Sequence, residues 1–92
     1  MADKALIIVP TYNERENIPT LISQVLEKDP RIEVLVVDDN SPDRTGDMVE
    51  EIRAREPRVH LLRRPGKMGL GTAYLDGFRW ALSRDYEYIF EM

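Results

Sequence analysis

Two unbroken apolar runs, Ala5-Leu6-Ile7-Ile8-Val9 and Ile32-Glu33-Val34-Leu35-Val36-Val37, limit the fold more than any other feature of the chain. A strand with one face in water alternates apolar and polar residues, because successive side chains point to opposite sides. A run without that alternation needs apolar cover on both faces, the condition met in a parallel sheet sandwiched by helices. The first run stops at Pro10 and the second at the acidic pair Asp38-Asp39.

Between the runs, Ile18, Leu21, Ile22, Val25 and Leu26 recur at helical spacing. Pro19 is tolerated only in a first turn, where its missing amide hydrogen has no partner to lose. The helix is therefore expected to start between Asn13 and Asn17 and to finish near Lys28, with either asparagine able to cap it and Asn13 with Glu16 in the form of a capping box. Asn40-Ser41-Pro42-Asp43 is turn chemistry, and Met48, Val49 and Ile52 then make a thin apolar stripe on a charged second helix. Val59 to Leu62 reads as a third strand, Arg63 to Gly69 as a basic glycine-containing loop, and Ala73, Leu75, Phe78, Trp80 and Leu82 fall on a third helix before a fourth strand from Tyr86 to Phe90. Alternating strands and helices imply right-handed crossovers and an α/β fold: a Rossmann-like open parallel sheet with helices on both faces. Ligands of such sheets bind beyond the carboxyl ends of the strands. Pro10 to Glu14, Asp38 to Asp43 and Arg63 to Gly71 all fall there.

Ninety-two residues allow one domain. With 13 Lys and Arg against 17 Asp and Glu, the net charge of −4 argues against nonspecific nucleic-acid binding, which depends on a basic surface to neutralise phosphates. It has no cysteine, which excludes disulfides, thiolate metal sites and cysteine nucleophiles. Its apolar runs are too short to span a bilayer, and Met1-Ala2-Asp3-Lys4 lacks the apolar stretch of a signal peptide. A cytoplasmic location is the expectation, with peripheral work at the cytoplasmic face of a membrane compatible with it.

Two neighbouring carboxylates at a strand end repel one another unless water or a partner offsets the cost. Alternation lets one of Asp38 and Asp39 aim into a crevice while the other turns to the amides of Asn40 to Thr45; equally, both could serve only to cap that turn. Tyr12 and Glu14 supply a ring and a carboxylate suited to a base or ribose, or else they serve only the loop and the helix start. Gly66-Lys67-Met68-Gly69-Leu70-Gly71 has neither dinucleotide-binding nor Walker spacing, which disfavours a dinucleotide fold. Arg63, Arg64 and Lys67 offer positive charge for a diphosphate, the alternative being a solvated surface loop. His60 is expected to pack or face water, and Phe78 and Trp80 to belong to the core.

Val9-Pro10-Thr11-Tyr12-Asn13-Glu14, Val36-Val37-Asp38-Asp39-Asn40-Ser41-Pro42-Asp43 and Gly69-Leu70-Gly71-Thr72-Ala73-Tyr74, in this order, resemble family 2 glycosyltransferases of GT-A type. The subgroup they resemble is the dolichol-phosphate or polyprenol-phosphate mannosyltransferases, and the likeness makes residues 1–92 the N-terminal, nucleotide-sugar-binding half of a GT-A domain. It implies that Pro10, Tyr12, Glu14, Val37 and Asp39 hold the donor nucleotide, with Asp39 reading base or ribose. GDP-mannose is the favoured donor and a polyprenyl or dolichyl monophosphate the acceptor. A UDP-sugar transferase and a stand-alone binding module are the alternatives. Members of the family continue from a fourth strand into an Asp-x-Asp motif for Mg²⁺ or Mn²⁺, so metal ligands and catalytic residues are expected beyond Met92 and no turnover from these residues alone. The family usually has glycine after Ser-Pro-Asp, where this chain has Arg44 and reaches glycine at Gly46. An apolar fourth strand left at a sheet edge would favour self-association.

Overall fold

In the computed structural model, which describes residues 4–66 and 68–92, the two apolar runs lie side by side as the inner strands of a four-stranded sheet. They are β1 (Ala5–Thr11) and β2 (Ile32–Asp38), flanked by β3 (Val59–Arg63) and β4 (Tyr88–Glu91) in the order β3-β2-β1-β4, all parallel. The helices are α1 (Ile18–Leu26), α2 (Thr45–Arg53) and α3 (Leu70–Leu82). The pleat divides each inner strand between two cores. Val9, Val34 and Val36 pack with Ile18, Ile22, Val25 and Val49 under α1 and α2. Leu6, Ile8, Leu35 and Val37 pack with Ala73 and Ala81 under α3. Val34, Leu35, Val36 and Val37 are each 0% exposed. A fully buried aliphatic side chain contributes about 2 kcal/mol, so this short stretch alone ties both helical layers to the sheet. The helices lie on both faces, as the order of elements implied.

Strand β1 runs through Pro10 to Thr11 instead of stopping before the proline. Ala5 donates its amide to the Arg31 carbonyl on the β2 side, whereas Ile8 accepts from Met92 on the β4 side. Even-numbered residues of β1 therefore face β4. Pro10 falls on that side past the end of β4, where its missing amide hydrogen costs no ladder bond.

Helix α3 meets the sheet through small residues: Ala73, Gly77 and Ala81 form its buried stripe. Phe78 and Trp80 pack half-buried beside them, as expected, but Leu75 and Leu82 point outward, 48% and 76% exposed. The close approach decides this. A Cβ on Gly77 would lie 2.8 Å from Ile8 Cγ2, nearer than carbon atoms tolerate, so the helix can rest on β1 only through this stripe. At the opposite edge Tyr88, Phe90 and Met92 leave more than half of their surface in solvent. Among the described residues no helix is long and apolar enough to cross a membrane.

In an open helix Gly→Ala is stabilising by about 1 kcal/mol. Overpacking against Ile8 reverses the sign, and Gly77→Ala is expected to destabilise the fold by about 1–3 kcal/mol in urea titrations. An unchanged or raised midpoint would contradict close packing of Gly77 on Ile8.

Candidate functional site

The chain advances from β1 through β2 to β3 with α1 and α2 on one face, and α3 then carries it back across the other face to β4, on the far side of β1. The direction of winding reverses there. Loops following β1, β2 and β3 meet at the carboxyl ends of the strands, where the polar motifs were expected to converge.

The first two loops are clasped together. Backbone amides of Asn13, Glu14 and Arg15 donate in turn to Ser41 Oγ, Thr45 Oγ1 and Asp43 Oδ2, each at 3.0 Å. The Asp43 amide returns a bond to Asn13 Oδ1 at 3.3 Å. This reciprocal lattice uses Ser41 and Asp43 of Ser-Pro-Asp, with Thr45 after it, to fix the backbone that carries Tyr12 and Glu14. It also overrides the predicted capping box. Asn13 sits in the left-handed region at φ 60° with its side chain spent on Asp43, and α1 begins after Asn17, with Pro19 in the first turn.

Arg44 occupies the left-handed region too, at φ 68° and ψ 34°. That conformation disfavours residues with a Cβ by about 1–2 kcal/mol, which accounts for glycine being usual after Ser-Pro-Asp. Here the Arg44 guanidinium is tied to Asp47 at 2.8 Å. Gly46 does a different job: a Cβ there would come within 3.1 Å of Asp38 Oδ2 and 3.2 Å of the Arg63 guanidinium.

Asp38 and Asp39 part as alternation requires. Asp38, 2% exposed, accepts from Thr11 Oγ1 at 2.7 Å, Ser41 Oγ at 2.6 Å and the Ser41 amide at 3.1 Å, so it closes the turn. Asp39 points to the α3 side. Arg64 grips it there through Nε and Nη2, at 2.6 and 2.9 Å, while the Met68 amide donates at 3.3 Å. Arg64 is itself 3% exposed and also donates to Thr72 Oγ1, Asp76 Oδ2 and the Gly69 carbonyl. Its bond to Asp39 is the main reason the guanidinium pKa rises above its already high value, against the lowering effect of burial.

Asp39, Pro10 and Tyr12 line one recess of about 130 Å³, together with Thr11, Gly69, Leu70 and Ala73. Of the other residues singled out, Glu14 borders an adjoining hollow on the α1 side with Pro10, and its carboxylate accepts from Asn17 Nδ2 at 3.2 Å. Val37 is sealed in the core beneath Asp39. Arg63 does not reach the recess: it lies on the α2 face, bound to Asp47 at 3.0 Å. Lys67 lies outside the described residues. The residue that the expected site lacked is Arg64 as Asp39's partner. The same alternation that separates Asp38 from Asp39 separates Arg63 from Arg64, and applying it to β3 would have found the pair.

The far end of the sheet holds a different polar group. Glu33 accepts from Tyr86 Oη and bonds His60 Nε2, both at 2.7 Å, with Lys4 Nζ at 3.7 Å. Burial raises the Glu33 pKa, but those hydrogen bonds and the lysine charge outweigh it and hold the carboxyl below its usual range. His60, 5.0 Å from the Trp80 ring, thus packs as expected, remote from the crevice. A larger hollow of about 350 Å³ at that end is lined by Ile7, Ile32, Tyr88 and Phe90, and its charged residues Asp29 and Arg31 pair with each other. It gathers no converging polar groups. Among the described residues no group of three His, Asp or Glu side chains could hold a metal ion.

Comparison with known proteins agrees with this architecture. A polyprenol monophosphomannose synthase of Mycolicibacterium smegmatis is 49% identical over 90 residues, 97% of this chain and 34% of that protein. An undecaprenyl-phosphate mannosyltransferase of Micrococcus luteus is 48% identical over 89 residues, 97% of this chain and 37% of that protein. The chain thus spans about a third of the length of these relatives. Among solved structures, a mannosyltransferase from Pyrobaculum calidifontis in complex with GDP-Man and Mn²⁺ superposes with a TM-score of 0.77 at 30% identity, over 85% of this chain and 24% of that one. The glycosyl transferase family 2 model matches residues 6–92, nearly the whole sequence, and with the GT-A-like sheet and its clasped loops it establishes that the chain belongs to glycosyl transferase family 2.

Proposed function

We propose that this chain is the donor-nucleotide half of a transferase that moves mannose from GDP-mannose to a polyprenyl monophosphate at the cytoplasmic face of a membrane. The observation that carries the reading is the recess at the winding reversal, where Tyr12, Pro10 and Asp39 converge. A ring and a proline offer a flat apolar wall to a base, and a carboxylate held rigidly beside it accepts that base's or ribose's donors. The names of the relatives, and the GDP-Man bound by the solved neighbour, support this donor and acceptor class. A recess of about 130 Å³ is too small for a whole nucleotide sugar. Complete ligand sites run to roughly 300–1,000 Å³, so sugar and diphosphate would rest on further chain.

The reaction would be one displacement with inversion: an acceptor phosphate oxygen bonds to the anomeric carbon as the bond to the donor diphosphate breaks, and the nucleoside diphosphate leaves with the electron pair. The nucleophile is already anionic and needs no general base, which fits a crevice without histidine. The described residues do not suit the Mn²⁺ seen in the neighbour, since Asp38 is closed into its turn and Asp39 is gripped by Arg64. Its ligands, and turnover, would belong to residues outside this chain.

Calorimetry tests the donor site. GDP is expected to bind, UDP to bind more weakly, and Asp39→Asn to weaken GDP binding about tenfold or more, the scale of one lost charge-assisted hydrogen bond. Unchanged GDP binding in that variant would remove Asp39 from the site.

Self-association through β4 belongs to the same proposal. Among the described residues its outer edge pairs with no further strand, and Tyr88 and Phe90 stack 6.3 Å apart on an exposed face. An unpaired apolar edge templates another strand. Light scattering is expected to show mass rising with concentration, and a constant monomer mass would refute it.

A further inference from the structure

We infer that Arg64 is the positioning residue of the donor recess, acting on the nucleotide through Asp39 and the first turn of α3 and not by touching the phosphates. The inference rests on the donor-site reading above. All three guanidinium nitrogens are committed: Nε and Nη2 to the two Asp39 oxygens, Nη1 to Thr72 Oγ1 at 3.0 Å and Asp76 Oδ2 at 3.1 Å, and Nη2 also to the Gly69 carbonyl at 3.2 Å. Two of those partners, Asp39 and Gly69, are walls of the recess.

The bonds continue beyond Arg64. Thr72 Oγ1 donates to the carbonyls of Met68 and Gly69, at 2.7 and 2.9 Å, and the Met68 amide donates to Asp39. Gly69 is held at φ 98°, a conformation natural to glycine alone. One planar group therefore sets both the tilt of the Asp39 carboxylate and the backbone on which α3 starts. A lysine, carrying a point charge, cannot bridge both carboxylate oxygens and two further acceptors at once.

Charge points the same way. Arg64 faces two carboxylates, Asp39 and Asp76, and Arg79 stands 3.7 Å from Asp76. The guanidinium is neutralised where it lies, so it adds no net positive charge to the recess for a diphosphate. Reaching one would require a side chain 3% exposed to abandon its whole set of partners. Preorganising a carboxylate before the ligand arrives avoids the cost of ordering it on binding.

The test is calorimetry of GMP and GDP with the full chain, as wild type, Arg64→Lys, Asp76→Asn, Asp39→Asn and the double variant Arg64→Lys with Asp39→Asn. Arg64→Lys is expected to weaken GMP and GDP by the same factor, about tenfold. Asp76→Asn should weaken both equally by a smaller factor, and in the Asp39→Asn background Arg64→Lys should change affinity by less than about threefold, because its route is already cut. A loss much larger for GDP than for GMP, or for GMP than for guanosine titrated alongside, would mean direct phosphate contact and overturn the inference. So would wild-type affinity in Arg64→Lys, or full additivity in the double variant. Circular dichroism checks each fold; should Arg64→Lys unfold, Asp76→Asn, which keeps the Asp39–Arg64 pair, carries the same GMP-against-GDP comparison, and wild-type affinity there would overturn the inference. If the wild type binds neither nucleotide, or Asp39→Asn binds as the wild type does, the donor-site reading falls and takes this inference with it. If Asp39 matters while Arg64 and Asp76 do not, only the inference falls.

Discussion

The pleat of β2 sends consecutive side chains to opposite faces of the sheet, and the organisation at its carboxyl end follows from that geometry. Val36 and Val37 go to different hydrophobic cores. Asp38 and Asp39 continue the alternation beyond the apolar run, so one carboxylate closes the Ser41 turn and its neighbour meets Arg64 across the α3 face. Two carboxylates that would repel if they shared a pocket are thereby separated by the sheet itself. Each has hydrogen bonds to satisfy it, and breaking a buried pair such as Asp39–Arg64 from one side would cost about 3–5 kcal/mol.

A second constraint lies in the connections. Ser41, Asp43 and Thr45 hold three consecutive amides of the β1–α1 loop, while Asp39 and Asn40 hold the loop after β3 through the Met68 amide and the Pro65 carbonyl. The β2 loop is thus the hub to which both others are tied. Rigidity at a strand end is what loops ordinarily lack, and here it comes from short polar side chains in a chain without cysteine.

Much of this was legible in the sequence because the signals were local. Runs without alternation specify strands buried on both faces, and the proline in α1 fixes its start to within one turn. The split of Asp38 from Asp39 needs only the period of a strand. What escaped was tertiary in origin. Asn13 offers a good cap to α1, but Ser41 and Asp43, distant in sequence, outbid it for the same groups. Leu75 and Leu82 belong to an apolar pattern, yet the helix rests on its small residues because Gly77 sits against Ile8. Arg63 and Arg64 look interchangeable in a basic loop; the strand continuing through Arg63 makes one an α2 contact and the other the anchor of the recess.

On the donor-site reading, a nucleotide binds where the winding of the sheet reverses. An amide-resolved NMR titration with GDP addresses it directly. Shifts should concentrate at Thr11, Tyr12, Asp39, Gly69 and Leu70, which line the recess, and leave Ile7, Ile32, Tyr88 and Phe90 at the far hollow unmoved. Shifts gathered around that far hollow, or none at the strand ends at saturating GDP, would rule out a nucleotide site at the winding reversal.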